Sequence, residues 1–550
     1  MNLTQKHVLL VCGLIVGLQM SAGVASSITA AETAPTERLV YCPVNLLVDK
    51  NVEDLIALMK RCATAGYTGV MLNDSKFGRL AEMEPRYFNN INRVKTAASE
   101  AHLEVIPAVF PLGYSESLLS SDPNLAEGLP LREVGFVVTN GMARLDPAEQ
   151  PTLKGGTPLH LEQWDWHDPS VSNDGTSGVR MTANPGQNVR LVQKISVRPF
   201  HQYHFAVWIK SVAWKGTAEI KALAGNFSLN YAALGVATDQ DWTLHHAVFN
   251  SLDKKEIALY LGSWDAEAGS LWWKDAILED AGLLNVVRRD GAPLTVTDAT
   301  GVTLTEGRDY QPVADPRMGC IPWKGAYEIW HESPPIRCAR ADGTHLRVSA
   351  YHAITTLDGQ VMICPSEPKT LALLIDQAQR MHAAWGAKGY FMSHDEIRVL
   401  GWDDSCTRRK ITPGAILADN LSACTKILKK LNPGGRIYVW SDMFDPNHNA
   451  HDQYYLVNGD LAGSWNGLDP SVIVAAWYFE KRDTSLKFFA NRGNPLLIAG
   501  YYDSDPAKIR DWLTSARAAG GAEGIMYTTW QNRYVDLERF LQEAREAPKP

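Results

Sequence analysis

Asp395 and Glu396 are adjacent carboxylates at the end of the apolar run 387–394, and a helix-like segment precedes that run. In a barrel of parallel strands, catalytic side chains stand at the carboxyl ends of the strands, where one acid can donate a proton and its neighbour can stabilise charge. A lone Asp-Glu pair is usually a solvated surface feature, but its place at a strand end favours chemistry. The pair therefore predicts a hydrolase.

The other predicted strand ends carry carboxylates and aromatic residues. Glycosidic bond cleavage requires an acid for the leaving oxygen, polar groups that offset an oxocarbenium-like charge, and aromatic faces that hold a sugar. His394 is more consistent with a hydrogen-bonding role than with a base or ligand. The strand-end residues are Asn73, Asp74, Tyr114, His394, Asp395, Glu396, Trp440, Asp442, Asp445, Trp477, Glu480, Tyr501, Tyr502, Asp503, Trp530, Gln531 and Asn532.

Two stretches of alternating strand and helix patterns must position these residues. Hydrophobic periodicity predicts strands at 39–47, 67–72, 103–110, 387–396, 436–443, 471–478, 495–502 and 524–530, separated by amphipathic helices. Eight such strands are the number of a TIM (β/α)8 barrel, so we expect an α/β fold of that type. A doubly wound open sheet is the alternative, but no Gly-rich nucleotide loop follows the first strand.

A β-rich segment interrupts this pattern after the third strand. The predicted parts are a barrel half at 38–125, a β-sandwich at 135–282, a small connector at 283–342 and a second barrel half at 343–550. Residues 150–282 resemble jelly-roll carbohydrate-binding modules, through 203–210, Asp241-Trp242 and 269–276. We expect half or more of its tryptophans to be core, and a module without a ligand site would be a spacer. These tryptophans are Trp164, Trp166, Trp214, Trp264, Trp272 and Trp273.

Composition bounds the remaining possibilities. The chain has 550 residues, and its 45% of hydrophobic residues is typical of a globular protein. Its net charge of −8 gives no electrostatic reason to bind nucleic acid. Lys6 and His7, the apolar stretch 8–18 and the following small residues predict a signal peptide at 1–31 and export to the periplasm or medium, with no membrane contact after its removal. A retained N-terminal anchor is the alternative.

Metal and disulfide chemistry is weakly indicated by the sequence. Seven cysteines follow the signal segment, and an odd number leaves at least one unpaired thiol in a monomer. Their scattered spacing, without C-x-x-C, favours buried thiols or one or two bridges over a zinc site. The Asp- and His-rich loop 441–452 favours a hydrogen-bonded network over a metal. We therefore expect no cofactor and no metal.

The two barrel halves together resemble the family 20 glycoside hydrolases, the β-N-acetylhexosaminidases. The matching residues are Met71-Leu72-Asn73-Asp74, Val105-Ile106-Pro107, Asp395-Glu396, Val439-Trp440, Tyr501-Tyr502-Asp503 and Thr529-Trp530. The resemblance implies substrate-assisted, retaining catalysis on an oligo- or polysaccharide, with Glu396 as general acid/base and Asp395 stabilising the acetamido group. It also implies that Tyr501 and Asp503 bind the substrate and that Trp440, Trp477 and Trp530 wall its subsite. From their strand-end positions, and apart from the resemblance, we expect His394, Asp74 and Asp442 to bind substrate as well.

Two further interpretations stay open at this point. A retaining glycosidase could act on a sugar without an acetamido group, with Asp503 or Asp442 as the nucleophile and Glu396 as the acid. A protein that has kept the barrel scaffold could instead bind carbohydrate without cleaving it. The sequence does not distinguish sugars, linkages or oligomeric states.

Overall fold

The computed structural model describes residues 35–175, 178–231 and 234–547. The predicted signal peptide lies outside these residues. Within the described part of the chain, no helix is long and apolar enough to cross a membrane.

Eight parallel strands form a closed barrel in which spatial order follows chain order. The expected number of strands and the interruption after the third strand are therefore confirmed. The third and fourth strands are neighbours despite the long insertion between them, with Phe391 beside Ala108 and Met392 beside Val109. The eight strands, from first to eighth, are Glu37–Pro43, Gly69–Asn73, Glu104–Val109, Gly389–Met392, Arg436–Trp440, Ile473–Ala476, Leu496–Ala499 and Gly524–Tyr527.

Helices follow seven of the eight barrel strands in the described chain. Proline begins three of them, at Pro85, Pro368 and Pro413, where its missing N–H costs nothing and its fixed φ suits a first turn. The fifth strand is followed by short 3₁₀ turns instead, which leaves a long loop at that end of the barrel. The seven helices are Asp49–Ala65, Pro85–Glu100, Pro368–Trp385, Pro413–Leu431, Arg482–Asn491, Ile509–Ala518 and Leu537–Glu546.

The inside of the barrel is filled with side chains. Tyr41, Met71, Phe391 and Trp440 are among the buried residues of this interior cluster. A filled interior is a core and not a channel, so polar chemistry is confined to the ends of the strands.

The inserted segment contains two five-stranded antiparallel sheets. Trp164, Trp214 and Trp273 are buried in it, so half of the six tryptophans are core, as expected. Trp166 is 48% exposed, and the Arg190 guanidinium lies 5.7 Å from its ring centre. One sheet consists of Val171–Asn173, Gly178–Thr182, Gln202–Lys215, Gln240–Asn250 and Ala268–Asp280, and the other of Trp166–His167, Val189–Ser196, Glu219–Ala224, Phe227–Ser228 and Glu256–Ser263.

A third sheet joins the segments on either side of the sandwich. Its strand His345–His352, which the sequence analysis places in the second barrel half, pairs antiparallel with Leu129–Thr139. Both strands bury a small apolar core with Val286 and Ile336. Sequence periodicity reports a half-buried strand but not its partner, which explains the difference. The remaining strands of this sheet are Met142–Leu145, Val286–Val287, Thr295–Asp298, Thr303–Leu304 and Ile336–Arg337.

Candidate active site

Three carboxyl groups meet at the carboxyl ends of the fourth and fifth barrel strands. Asp395 and Glu396 follow the fourth strand, and Asp442 follows the fifth, which is its parallel neighbour. The Glu396 backbone N–H donates to Asp442 Oδ2 at 2.9 Å. Asn449 donates to the same oxygen at 3.0 Å, so the loop after the fifth strand holds Asp442 in place.

Burial raises the pKa of two of these carboxyls, Asp395 and Asp442. It raises the pKa of Asp395 well above its ordinary value, and the neighbouring charges of Asp442 and Glu396 raise it further. Burial likewise raises the pKa of Asp442 to about 7, although the hydrogen bond from the Glu396 N–H opposes this shift. Asp395 is partly exposed and Asp442 is fully buried, so Asp395 is the more accessible proton carrier.

Glu396 has the opposite environment. Arg398 Nη2 lies 2.7 Å from Glu396 Oε2, and the Tyr114 hydroxyl donates to the same oxygen at 2.5 Å. Gln360 fixes this arrangement, because it accepts from Arg398 at 2.5 Å and donates to the Glu396 carbonyl at 3.0 Å. A guanidinium and a hydroxyl that converge on one oxygen are the partners of a carboxylate.

Several non-glycine residues at this end of the barrel have a positive φ. Glu396 has φ of +49°, and Phe110, after the third strand, has φ of +57°. Tyr502 and Asp503, after the seventh strand, have φ of +52° and +50°. Non-glycine residues rarely adopt this conformation and cluster at functional sites when they do.

An aromatic wall stands beside the carboxyl groups. Trp530 and Tyr502 are 38% and 46% exposed, with ring centres 6.0 Å apart. The Tyr502 ring stacks on Trp477 at 5.5 Å, and Trp477 Nε1 lies 3.4 Å from Asp442 Oδ1. Exposed aromatic faces of this kind hold sugar rings. Trp440, expected in the wall, is only 2% exposed and supports Trp530 from the barrel interior.

Tyr501 does not join this group. It is 3% exposed, its hydroxyl donates to Asp536 at 2.9 Å, and its ring stacks on Tyr527 at 4.0 Å. The side chain therefore packs between the eighth strand and the last helix. Tyr502 occupies the position at the carboxyl groups that the sequence analysis gives to Tyr501, and charges on Glu396 and Asp442 help to raise its pKa.

His394 and Asp74 are buried and occupied by structural hydrogen bonds. His394 Nε2 lies 3.1 Å from Asn420 Oδ1, and burial lowers the pKa of the imidazole to about 4. Asp74 accepts hydrogen bonds from the Leu46 and Lys76 backbone N–H groups and from the Tyr87 hydroxyl. These contacts tie the loops after the first two strands together, and they leave Asp74 as a positioning residue.

Asp503 organises the loop that carries Trp530. Its carboxylate accepts from the Thr529 hydroxyl at 2.5 Å and from the Trp530 N–H at 2.7 Å. The Gln531 N–H is a third donor at 3.2 Å. A carboxylate with three donors is poorly placed to attack a substrate, so Asp503 holds the aromatic wall.

A cavity of about 260 Å³ lies next to Glu396, on the side of the second and third strands. Tyr114 lines this cavity and also bonds to Glu396. Asn73 and Ser393 supply further polar groups there, and burial raises the pKa of Glu116 in its wall to about 7. The site therefore has a polar pocket on one side and an aromatic wall on the other.

The inserted sandwich also reaches the site. The ring centre of Tyr231, a sandwich residue, lies 4.4 Å from that of Tyr455, in the loop after the fifth strand. Arg398 lies over the same Tyr455 ring, with its guanidinium 5.0 Å from the ring centre. One chain of contacts thus runs from the sandwich through Tyr455 and Arg398 to Glu396.

Sequence reasoning brought Asp395, Glu396, Asp442, Trp477 and Trp530 to one place. It included Tyr114 and Tyr502 among strand ends without giving them a role, and it did not find Arg398, Gln360 or Tyr455. The last three lie in irregular loops, where no periodicity signals a direction. The spacing Glu396-x-Arg398 was the available signal.

Comparisons with known proteins give no family assignment. No protein-family model and no curated protein sequence matches the chain. Among solved structures, the chain is similar to "A Glycoside Hydrolase Family 20 beta-N-Acetylglucosaminidase" at 10% identity and a TM-score of 0.37, over 94% of this chain and 70% of that one. It is also similar to a rhamnosidase from Novosphingobium sp. PP1Y, at 10% identity and a TM-score of 0.29, over 90% and 55% of the two chains.

A shorter structure is also similar to part of the chain. A structure titled "CBM4 structure and function" matches 24% of this chain and 99% of its own length, at 16% identity and a TM-score of 0.20. All three TM-scores are low, so the argument for function rests on the geometry of the site.

Proposed function

We propose that the chain is a glycoside hydrolase whose reaction takes place between the carboxyl groups of Asp395 and Glu396 and the aromatic wall of Trp530, Tyr502 and Trp477. The observation that carries this proposal is the opposed environment of two adjacent carboxyls. Burial and like charges keep Asp395 protonated, while Arg398 and Tyr114 converge on Glu396 as partners of a carboxylate. Two carboxyls whose environments differ in this way can act as acid and as base or nucleophile at one pH.

In the proposed reaction, Asp395 donates its proton to the glycosidic oxygen as the bond to the anomeric carbon breaks. The Glu396 carboxylate, held by its ion pair with Arg398, bonds to the anomeric carbon or stabilises the positive charge on it. Water then attacks the anomeric carbon, any bond between that carbon and Glu396 breaks to restore the carboxylate, and a proton of the water goes to Asp395. The site thus supplies the acid and the second carboxylate that retaining glycosidases require.

This division of roles reverses the one that the family resemblance implies. The resemblance makes Glu396 the acid and Asp395 the residue that orients an acetamido group. The ion pair between Arg398 and Glu396 favours the reversed roles, because the guanidinium 2.7 Å from Glu396 Oε2 is a charge partner that orients this carboxylate toward the substrate. The burial of Tyr501 also removes the hydroxyl expected to bind the acetamido carbonyl.

Aryl glycosides with good and poor leaving groups test the proposal. The panel includes N-acetylglucosaminides, N-acetylgalactosaminides and glycosides without an acetamido group. A general acid matters little when the leaving group is dinitrophenol, whereas the second carboxylate matters for every leaving group. Asp395→Asn should therefore lose about 10²–10⁴-fold in kcat/KM on a poor leaving group and less than about 10-fold on a good one. Glu396→Gln should lose at least about 10³-fold on both.

The exposed Glu480, which follows the sixth strand, provides a matched control, and Glu480→Gln should stay within about twofold of the unchanged chain. Loss restricted to poor leaving groups in Glu396→Gln would return the acid role to Glu396. Saccharide binding without release of any aryl group would favour the non-catalytic interpretation.

A further inference from the structure

Four potential metal ligands lie together near the junction of the barrel and the inserted segment. They are Glu127, Cys364, Asp403 and Cys406, all buried, with one ligand atom from each within 4.8 Å of the others. Glu127 precedes the insertion, Cys364 follows it, and the other two come after the loop that carries Glu396 and Arg398. The proposed hydrolase reaction uses none of these four groups.

Three of the six spacings between the ligand atoms match the edges of a tetrahedral zinc site, and all four atoms lie within 4.8 Å of one another. The two sulfur atoms are 3.6 Å apart, Cys364 Sγ lies 3.5 Å from Asp403 Oδ1, and Cys406 Sγ lies 3.5 Å from Glu127 Oε2. Zinc bonds of about 2.3 Å to sulfur and about 2.0 Å to oxygen place the corners of a tetrahedron about 3.8 Å apart for S–S and about 3.5 Å apart for S–O. Each of the three distances agrees with its edge to within about 0.2 Å.

The outer oxygen of each carboxylate is already held by other groups. Glu127 Oε1 accepts from the Trp402 N–H at 2.8 Å, and Asp403 Oδ2 accepts from Arg289 and from the Gly128 N–H. The inner oxygen of each faces a cysteine sulfur. This is the second-shell arrangement that orients carboxylate ligands toward a metal.

The negative charge of the neighbouring carboxylates also favours a bound cation. Arg289 forms ion pairs with both Asp403 and Glu367. Glu127, which is also buried, adds a third carboxylate beside them. One guanidinium cannot balance three carboxylates, and ionised thiols would add to the deficit. Buried charges need partners, and a dication bound by the four ligands would provide them.

We propose that Glu127, Cys364, Asp403 and Cys406 bind one structural Zn²⁺. The ion fastens the start of the insertion, its end and the segment that follows the Glu396–Arg398 loop to one point. The role of the ion is to fix the position of that loop. This proposal does not depend on whether the chain is a glycosidase. Zinc binding is coupled to deprotonation of both thiols, whose protons go to solvent.

Metal analysis of the full chain tests this proposal. The protein is made without a histidine tag in medium supplemented with ZnCl₂, dialysed, and measured for zinc per chain by mass spectrometry. We expect about one zinc per chain in the unchanged protein and less than about a tenth of that in Cys364→Ser. Cys424→Ser is the matched control, because Cys424 is a buried thiol that contacts Asn420 and lies outside the cluster.

Two measurements on the unchanged chain keep the proposal testable if Cys364→Ser does not fold. Chelator treatment should lower Tm, and ZnCl₂ should restore it, because a ligand of the folded state stabilises it. CoCl₂ should give the near-ultraviolet band of thiolate bonded to cobalt. No zinc, no cobalt band and an unchanged Tm would overturn the proposal. A Cys364–Cys406 disulfide found by mass spectrometry of the unreduced protein would overturn it as well.

Discussion

Arg398 Nη2 and Glu396 Oε2 are 2.7 Å apart, and both side chains are largely shielded from solvent. The pair matters because burial and the charges of Asp442 and Glu396 dominate the environment of Asp395, the preceding residue, and outweigh the opposing charge of Arg398 there. Adjacent carboxyls in one loop thereby have different partners, and burial raises the pKa of Asp395. Both residues follow the fourth strand, so the difference between their environments arises from the loops that surround them.

Removing the cation should weaken catalysis more than stability. In Arg398→Met, the Glu396 carboxylate would be left beside two other acidic groups, and we expect kcat/KM to fall about 10²-fold or more. Arg398→Lys should recover part of this loss, because it restores charge without the two-pronged geometry. Arg380→Met is the control, since Arg380 pairs with Asp376 on an exposed helix and such pairs contribute about 0.5 kcal/mol or less. Equal activity in Arg398→Met and Arg380→Met would contradict the assigned role.

Asp442 should make stability depend on pH in the neutral range. Its folded pKa of about 7 exceeds the unfolded value of about 3.9, so the folded state holds the proton more tightly. The associated stabilisation is full below about pH 4 and is lost as pH rises through about 7. Between about pH 5 and about pH 8, the free energy of unfolding of the unchanged chain should therefore fall by about 1–3 kcal/mol relative to Asp442→Asn.

Chemical denaturation at several pH values measures this difference. Asp469→Asn is the control, because a hydrogen bond from Lys429 lowers the pKa of Asp469 to about 2. The stabilisation by Asp469 is full above its unfolded pKa and is lost as pH falls toward about 2, so its effect should be constant over the same range. A constant difference for Asp442→Asn too would show that Asp442 titrates normally.

The barrel could be predicted because its elements carry local signals. Buried strands such as Ile473–Ala476 are short apolar runs, and helices such as Asp49–Ala65 bury Val52, Leu55 and Met59 on one face. Counting these elements gave eight strands and placed Asp395 after the fourth. The antiparallel partner of His345–His352 could not be predicted, because pairing depends on residues that lie far apart in the chain.

The choice between Tyr501 and Tyr502 shows why the site was harder to predict. Alternation along a strand decides which side chains face inward, but it fails when the backbone leaves the extended region. Tyr502 and Asp503 both have positive φ directly after the seventh strand, so the direction of each side chain follows from the turn. Arg398 presents the same difficulty, since it reaches Glu396 through a loop whose path depends on Gln360.

Gly113 should tolerate no side chain. A Cβ at this position would lie 1.9 Å from the carbonyl oxygen of Asp395, and a backbone atom cannot move away without displacing the catalytic loop. We expect Gly113→Ala to lower the free energy of unfolding by about 1–3 kcal/mol and to reduce kcat/KM together with it. Gly434→Ala is the control, because the same construction at Gly434 meets no atom within 4 Å. Thermal melting and aryl glycoside turnover would decide, and full activity in Gly113→Ala would refute the close approach.

The contact between Tyr231 and Tyr455 should make the sandwich a part of the active site. Loss of an aromatic contact costs about 0.5–1.5 kcal/mol, and here Tyr455 also lies beneath the Arg398 guanidinium. Tyr231→Ala should therefore lower kcat/KM by about 2–13-fold without unfolding the sandwich, whereas Tyr231→Phe keeps the ring and should stay within about twofold. Tyr260→Ala provides a comparison, since the Tyr260 ring contacts Trp264 within the sandwich. If Tyr231→Ala and Tyr260→Ala were equally active, the sandwich would act on the reaction by another route or serve as a spacer.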